Sequence, residues 1–171
     1  MKHLNIEIKA RCADQDRIRR VLEVSGADFK GRDRQVDTYF KVNAGRLKLR
    51  EGLIENFLVF YEREDKMGPK ESNVILFKND PGSALKELLI KSLGVLVVVD
   101  KTREIYFISN VKFHIDIVEG LGSFVEIEAI DSNATIGRQA LLDQCTEYLK
   151  LLGIDETDLL SSSYSDLLLQ K

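Results

Sequence analysis

Five short stretches of this chain carry ionisable side chains at every second position. Glu7 and Lys9 stand in NIEIKAR, and Arg46, Lys48 and Arg50 in GRLKLRE. Lys101 and Arg103 stand in KTREIYF, His114 and Asp116 in HIDIVEG, and Glu126 and Glu128 in FVEIEA. Arg63 and Lys78 add basic residues in two further apolar runs. Lys and Arg in such numbers suit a ligand with many anionic oxygens, and the guanidinium fork grips phosphate through paired hydrogen bonds. The carboxylates would repel phosphate directly. They are good oxygen ligands for Mg²⁺ or Mn²⁺, which bridges carboxylate to phosphate. Brought together, the two sets could hold a triphosphate with a divalent metal.

The spacing says what must position them. In a strand, residues i and i+2 share a face, so each stretch has one charged side and one apolar side. Ile6, Ile8 and Ala10 oppose Glu7 and Lys9, while Leu47 and Leu49 oppose Arg46, Lys48 and Arg50. Two arrangements are open. The charged sides could form the wet face of an antiparallel sheet. Alternatively, the sheet closes and they line its interior. Like charges gathered on single strands need a reason, because they repel. Many strands with few helices would also leave long exposed edges, which a barrel removes. With apolar faces outward under helices, the lumen must hold water, ions or an anionic ligand, since bare charges cannot line a dry core.

Strands are expected at 2–11, 33–43, 45–51, 56–64, 73–79, 94–99, 101–108, 111–118 and 122–130, with Asn43-Ala44-Gly45 as a hairpin loop and 66–72 as a loop. A helix starts at the Asp14 cap and stops at Gly26, with Ile18, Val21 and Leu22 on its apolar side. Asp80-Pro81 reads as the opening of a short helix with Leu85, Leu88 and Leu89 as its stripe. A strongly amphipathic helix spans about 134–152, through Ile136, Leu141, Cys145, Tyr148, Leu149 and Leu152. The tail is partly helical, and Tyr164 either closes over a barrel mouth or docks outside. The strands do not alternate with helices, so the class is α+β with a mostly antiparallel sheet in a single domain over 1–171.

At 171 residues and 44% apolar, the chain can build a proper core. A net charge of -3 speaks against a general nucleic-acid surface, so the basic residues must act locally. No apolar run reaches the roughly 20 residues of a membrane span. Cys12 and Cys145 match no metal or redox spacing and read as reduced thiols of a cytoplasmic protein. No P-loop, HExxH, GxSxG or CxxC occurs.

The set N-I-E-I-K, Q-V-D-T-Y-F, G-R-L-K-L-R-E, F-Y-E-R, K-T-R-E, H-I-D-I-V-E-G-L-G-S-F-V-E-I-E and S-Y-S-D-L-L resembles the CYTH superfamily of triphosphate tunnel metalloenzymes, most of all its class IV adenylyl cyclases. The resemblance covers nearly the whole chain. It implies a closed eight-stranded antiparallel tunnel with a charged lumen and helices packed outside. It implies Mg²⁺ or Mn²⁺ held by Glu7, Asp116, Glu126 and Glu128, which would also be the catalytic set. It implies phosphate held by Lys9, Arg46, Lys48, Arg50, Arg63, Lys78, Lys101 and Arg103. The family pattern begins E-x-E-x-K, and here the first Glu is Asn5, which offers a neutral carbonyl in place of a charge.

Three functions stay open at this point. They are cyclisation of ATP to cyclic AMP and pyrophosphate, hydrolysis of inorganic, thiamine or nucleoside triphosphate, and binding of a polyphosphate without turnover. The partner expected is a small-molecule triphosphate such as ATP, with no nucleic acid and no membrane; a homodimer enters by analogy with the family alone. Replacing Lys9 or Arg103 is expected to weaken triphosphate binding with little loss of fold. Replacing Glu126 or Glu128 is expected to abolish turnover while relieving carboxylate repulsion.

Overall fold

The computed structural model describes residues 2–63 and 66–171. Eight antiparallel strands close into a barrel: β1 (Lys2–Arg11), β2 (Asp28–Phe40), β3 (Arg46–Glu51), β4 (Phe57–Arg63), β5 (Lys70–Lys78), β6 (Val95–Ile108), β7 (Val111–Val118) and β8 (Gly122–Asp131). Their order around the ring is β1-β5-β4-β3-β2-β6-β7-β8. β1 closes the ring, pairing with β5 on one side and with β8 on the other.

Alternation decides which face points where. Ile6, Ile8 and Ala10 of β1 face outward with Ile115 of β7 and Val125 and Ile127 of β8. They are covered by α1 (Gln15–Val24) and α3 (Arg138–Leu151), through Ile18, Leu22, Leu141 and Cys145. Each fully buried aliphatic side chain here contributes about 1.5–3 kcal/mol. A smaller cluster sets Leu89 of α2 (Leu85–Leu93) on Phe40 and Leu49. The core thus lies between barrel and helices, and the ionisable faces are turned inward.

Several boundaries differ from the sequence expectation. The runs 94–99 and 101–108 are one strand, β6, bonded to β2 along its length. β2 starts at Asp28 and β5 at Lys70, each earlier than expected. Residue 64 of the expected 56–64 strand lies outside the described residues. Asp14 does cap α1, accepting from Arg17 N at 2.9 Å. Asp80 does not cap α2: Pro81 and Gly82 form a turn closed by Ser83 N on Asp80 O, and the helix begins at Leu85. Leu88 is exposed, and Leu93 joins the stripe instead. α3 starts late because Asp131 accepts from the backbone N–H of Thr135, Ile136 and Gly137, which holds that segment as a loop.

The β3–β4 connection is tied to the barrel by a buried carboxylate. Asp33 accepts from the backbone N–H of Leu53 (2.8 Å), Ile54 (3.2 Å) and Glu55 (3.1 Å). Gly52 passes so close that a Cβ there would press on the Asp33 carboxylate and lie 2.9 Å from the Glu55 carbonyl oxygen. Gly52→Ala is therefore expected to lower the unfolding free energy by roughly 1–3 kcal/mol in urea titration, the usual cost of forcing atoms into a packed site.

Candidate functional site

Inside the barrel is a cavity of about 180 Å³. Seven Lys and Arg side chains line it: Lys9, Lys48, Arg50, Arg63, Lys101, Arg103 and Lys112. Five carboxylates face them: Glu7, Asp37, Glu55, Glu126 and Glu128. Part of the wall contributed by β4 and β5 is apolar, through Phe57, Val59, Val74 and Leu76, beside Tyr61, Arg63 and Ser72 of the same strands.

The charged groups form two linked clusters. In the first, Arg103 spans Asp116 and Glu126. Its Nε donates to Asp116 Oδ1 at 2.7 Å and its Nη2 to Asp116 Oδ2 at 2.5 Å and Glu126 Oε2 at 2.7 Å. Glu126 also accepts from Lys9 and stands 2.9 Å from His114 Nδ1. Burial alone would raise the Glu126 pKa, but Lys9 and Arg103 outweigh it and hold the carboxyl well below the usual range. Glu7 accepts from Arg63. In the second cluster, Asp37 takes three cations on one carboxylate: Arg50 (2.8 and 3.0 Å), Lys48 (3.0 Å) and Lys101 (2.7 Å). Those cations likewise overcome burial and hold Asp37 low. Lys101 goes the other way: burial, with Arg50, Arg103 and Lys48 beside it, brings its ammonium down to about 7 despite Asp37.

Glu128 is the exception among the acids. Its register partner on β1 is Glu7. Burial, with Glu7, Glu126 and Glu55 nearby, raises its pKa against the pull of Lys112. Asn5 donates to Glu128 through its amide nitrogen, while its Oδ1 is buried with no partner. His114 Nε2 is also buried and unpartnered. Burial and the cations Arg103 and Lys112 keep that imidazole neutral, with a pKa of about 3.

Of the residues expected at the site, Glu7, Glu126, Glu128, Lys9, Lys48, Arg50, Arg63, Lys101 and Arg103 all line the cavity. Three do not. Asp116 is fully enclosed, its oxygens taken by Arg103 and by Tyr164 Oη at 2.7 Å, so it positions Arg103 from behind. Arg46 has the inward parity but reaches Asp166 at 3.0 Å, at the barrel end. Lys78 shares the parity of Leu76 yet is exposed at the end of β5. Lys112 and Asp37 were missed although each repeats the two-residue spacing, beside His114 and Tyr39. Glu55 comes from a connection that carries no such signal.

The tail closes one mouth. Leu160 N bonds to Lys9 O at 2.9 Å, and Lys70 donates to Leu160 O. α4 (Tyr164–Leu169) follows, with Ser163 and Asp166 forming a capping box at its start. Tyr164 reaches the lumen, where the Lys9 ammonium lies 3.6 Å from its ring centre. Arg46, at one end of β3, marks this mouth; Glu55, just past the other end of β3, marks the opposite one.

Among the described residues, no three carboxylate, imidazole or thiol groups make a ready-built metal cage. The donor chemistry still fits a hard divalent ion. Glu7 and Glu128 oppose each other in an acidic spot that a cation would relieve, beside the orphaned carbonyl of Asn5. Such an ion would complete its shell with oxygens of a bound phosphate, as Mg²⁺ does when it shares carboxylates with substrate.

Comparison with known proteins gives a consistent picture. The CYTH domain family model matches residues 3–164. A Methanocaldococcus jannaschii protein provisionally named adenylate cyclase is 29% identical, over 96% of this chain and 98% of that protein. A solved Pyrococcus horikoshii protein superposes with a TM-score of 0.73 at 28% identity, covering 95% of this chain and 98% of its own. A Hippeastrum protein provisionally named adenylyl cyclase, and described as having a dominant triphosphatase activity, shares the fold, with a TM-score of 0.59, 14% identity and coverage of 98% and 94%.

Proposed function

Because this chain belongs to the CYTH domain family, we propose that it is a divalent-metal enzyme that binds a nucleoside triphosphate in its barrel and cyclises ATP to cyclic AMP and pyrophosphate. The observation that carries this reading is the convergence of seven cations from five strands on one cavity, in excess of the carboxylates that face them. A polyanion neutralises that excess.

In cyclisation, the ribose 3′-hydroxyl gives up its proton to solvent and its oxygen forms a bond to the α-phosphorus. The bond from that phosphorus to the bridging oxygen of the β-phosphate breaks, and pyrophosphate leaves with the electron pair. Lys9, Arg63 and Arg103 would hold the leaving phosphates, helped by Lys48 and Lys101. His114 Nε2 would offer the substrate an uncommitted acceptor. Glu7 and Glu128, with Asn5 Oδ1 and then Glu126, would hold the metal. When bound, the metal lowers the pKa of the attacking hydroxyl and offsets charge on the phosphoryl oxygens. The apolar wall of Phe57, Val59, Val74 and Leu76 favours a substrate with an organic group over bare triphosphate.

A second reading, hydrolysis of a triphosphate, is favoured by cavity size. About 180 Å³ is below the roughly 300 Å³ where organic-ligand pockets usually begin. Incubation with ATP and Mg²⁺ or Mn²⁺ separates the two. The expected products are cyclic AMP and pyrophosphate in equal amounts. Orthophosphate without cyclic AMP overturns cyclisation in favour of hydrolysis, and tight binding with no product leaves a polyphosphate-binding protein.

A further inference from the structure

The mouth opposite α4 is occupied by a residue of the chain itself. Glu55 belongs to the β3–β4 connection, yet it is only 9% exposed and lines the cavity. Its carboxylate accepts from Arg50 Nη1 (2.8 Å), from Gln35 Nε2 (2.9 Å) and from Lys112. Its backbone is fixed by Asp33, which also holds the two residues before it. The placement is therefore built into the fold. A carboxylate on an Arg and a Lys presents the same kind of anionic oxygens as a phosphate.

Resting on the triphosphate reading above, we infer that Glu55 is an internal competitor that the substrate's phosphates displace, and that Arg50 and Lys112 are the phosphate subsite it vacates. This makes Glu55 a determinant of specificity. An anion that brings little charge does not repay the loss of a buried, charge-assisted contact, whereas a chain of phosphates does. Asp37 differs in kind. It lies within strand β2, paired in register with Arg50, and bonds Lys48 and Lys101 as well.

Calorimetric titration of the metal-free chain with inorganic tripolyphosphate tests the assignment. Glu55→Gln keeps the side-chain volume and removes the charge. It is expected to tighten binding about tenfold or more, the range set by one charge-assisted hydrogen bond. That gain should vanish when Lys112→Met is added, because the vacated subsite is then gone. Unchanged or weaker binding by Glu55→Gln, or a gain that persists in full without Lys112, overturns the inference while leaving the triphosphate reading intact. Absence of tripolyphosphate binding by every form, wild type included, overturns both. Should Glu55→Gln fail to fold, the ¹³C carboxyl resonance of Glu55 in the wild-type chain decides. It is expected to move toward a solvated position as tripolyphosphate is added, and a resonance that stays fixed at saturation overturns the inference.

Discussion

Arg103→Ala is expected to abolish turnover and to lower the unfolding free energy by roughly 3–5 kcal/mol, the usual cost of stranding a buried charge. Arg103 is 3% exposed and bonded to two carboxylates, Asp116 and Glu126. Its removal leaves Asp116 with only the Tyr164 hydroxyl. The sequence alone suggests that such a change would leave the fold nearly intact, because an isolated lumen cation looks dispensable. The structure replaces that expectation: Arg103 is the keystone of a buried network. The same holds for Glu126, where loss strands Lys9, takes one of two carboxylates from Arg103 and destabilises. Relief of carboxylate repulsion applies to Glu128 alone, the acid held above its ordinary range. Urea unfolding of Arg103→Ala beside Lys9→Ala provides the check, since Lys9 has one carboxylate partner and should cost less. A loss below about 1 kcal/mol for Arg103→Ala would contradict the network.

Lys101→Met is expected to stabilise the empty protein at neutral pH by roughly 1–3 kcal/mol and to weaken triphosphate binding. Lys101 is 2% exposed, and its partner Asp37 keeps Arg50 and Lys48 when Lys101 is gone. The direction with pH follows from its depressed pKa of about 7. Below pH 7 both folded and unfolded chains carry the proton, and the cost of a buried ammonium is fully present. Between about 7 and the ordinary 10.5 the folded chain has lost the proton and the unfolded chain has not, so stability rises with pH. Lys70, brought down to about 8 by burial and then by Arg63, adds a rise in the upper part of that window. Denaturation at pH 6 and pH 9 should show a smaller rise in Lys101→Met than in wild type. Parallel profiles would mean that Lys101 is not a buried cation.

Much of this barrel was legible because its inner and outer faces carry opposite chemistry. β1, β3, β7 and β8 alternate charge with Ile, Leu or Val, and their expected limits hold to within a residue or so. β6 was split in two because its first half, VLVVVD, does not alternate. That half packs inward on α4 through Val97 and Val99, where the lumen ends in apolar contacts. Local residue preference could not supply Glu55 either, since Asp33 brings it inward from 22 positions away in sequence. Asp116 looked like its neighbours in spacing, but only the position of Tyr164, another long-range contact, makes it a support for Arg103.

The ring is latched by its earliest strand onto its latest, through pairs such as Lys9 and Glu126 that lie 117 positions apart. During synthesis the first ten residues must wait for most of the chain before the hoop can shut. Loop closure over that distance is entropically slow, so assembly should finish with this clasp. Clipping β1 would unbuckle two seams at once, flood the bore and scatter the charges it gathers.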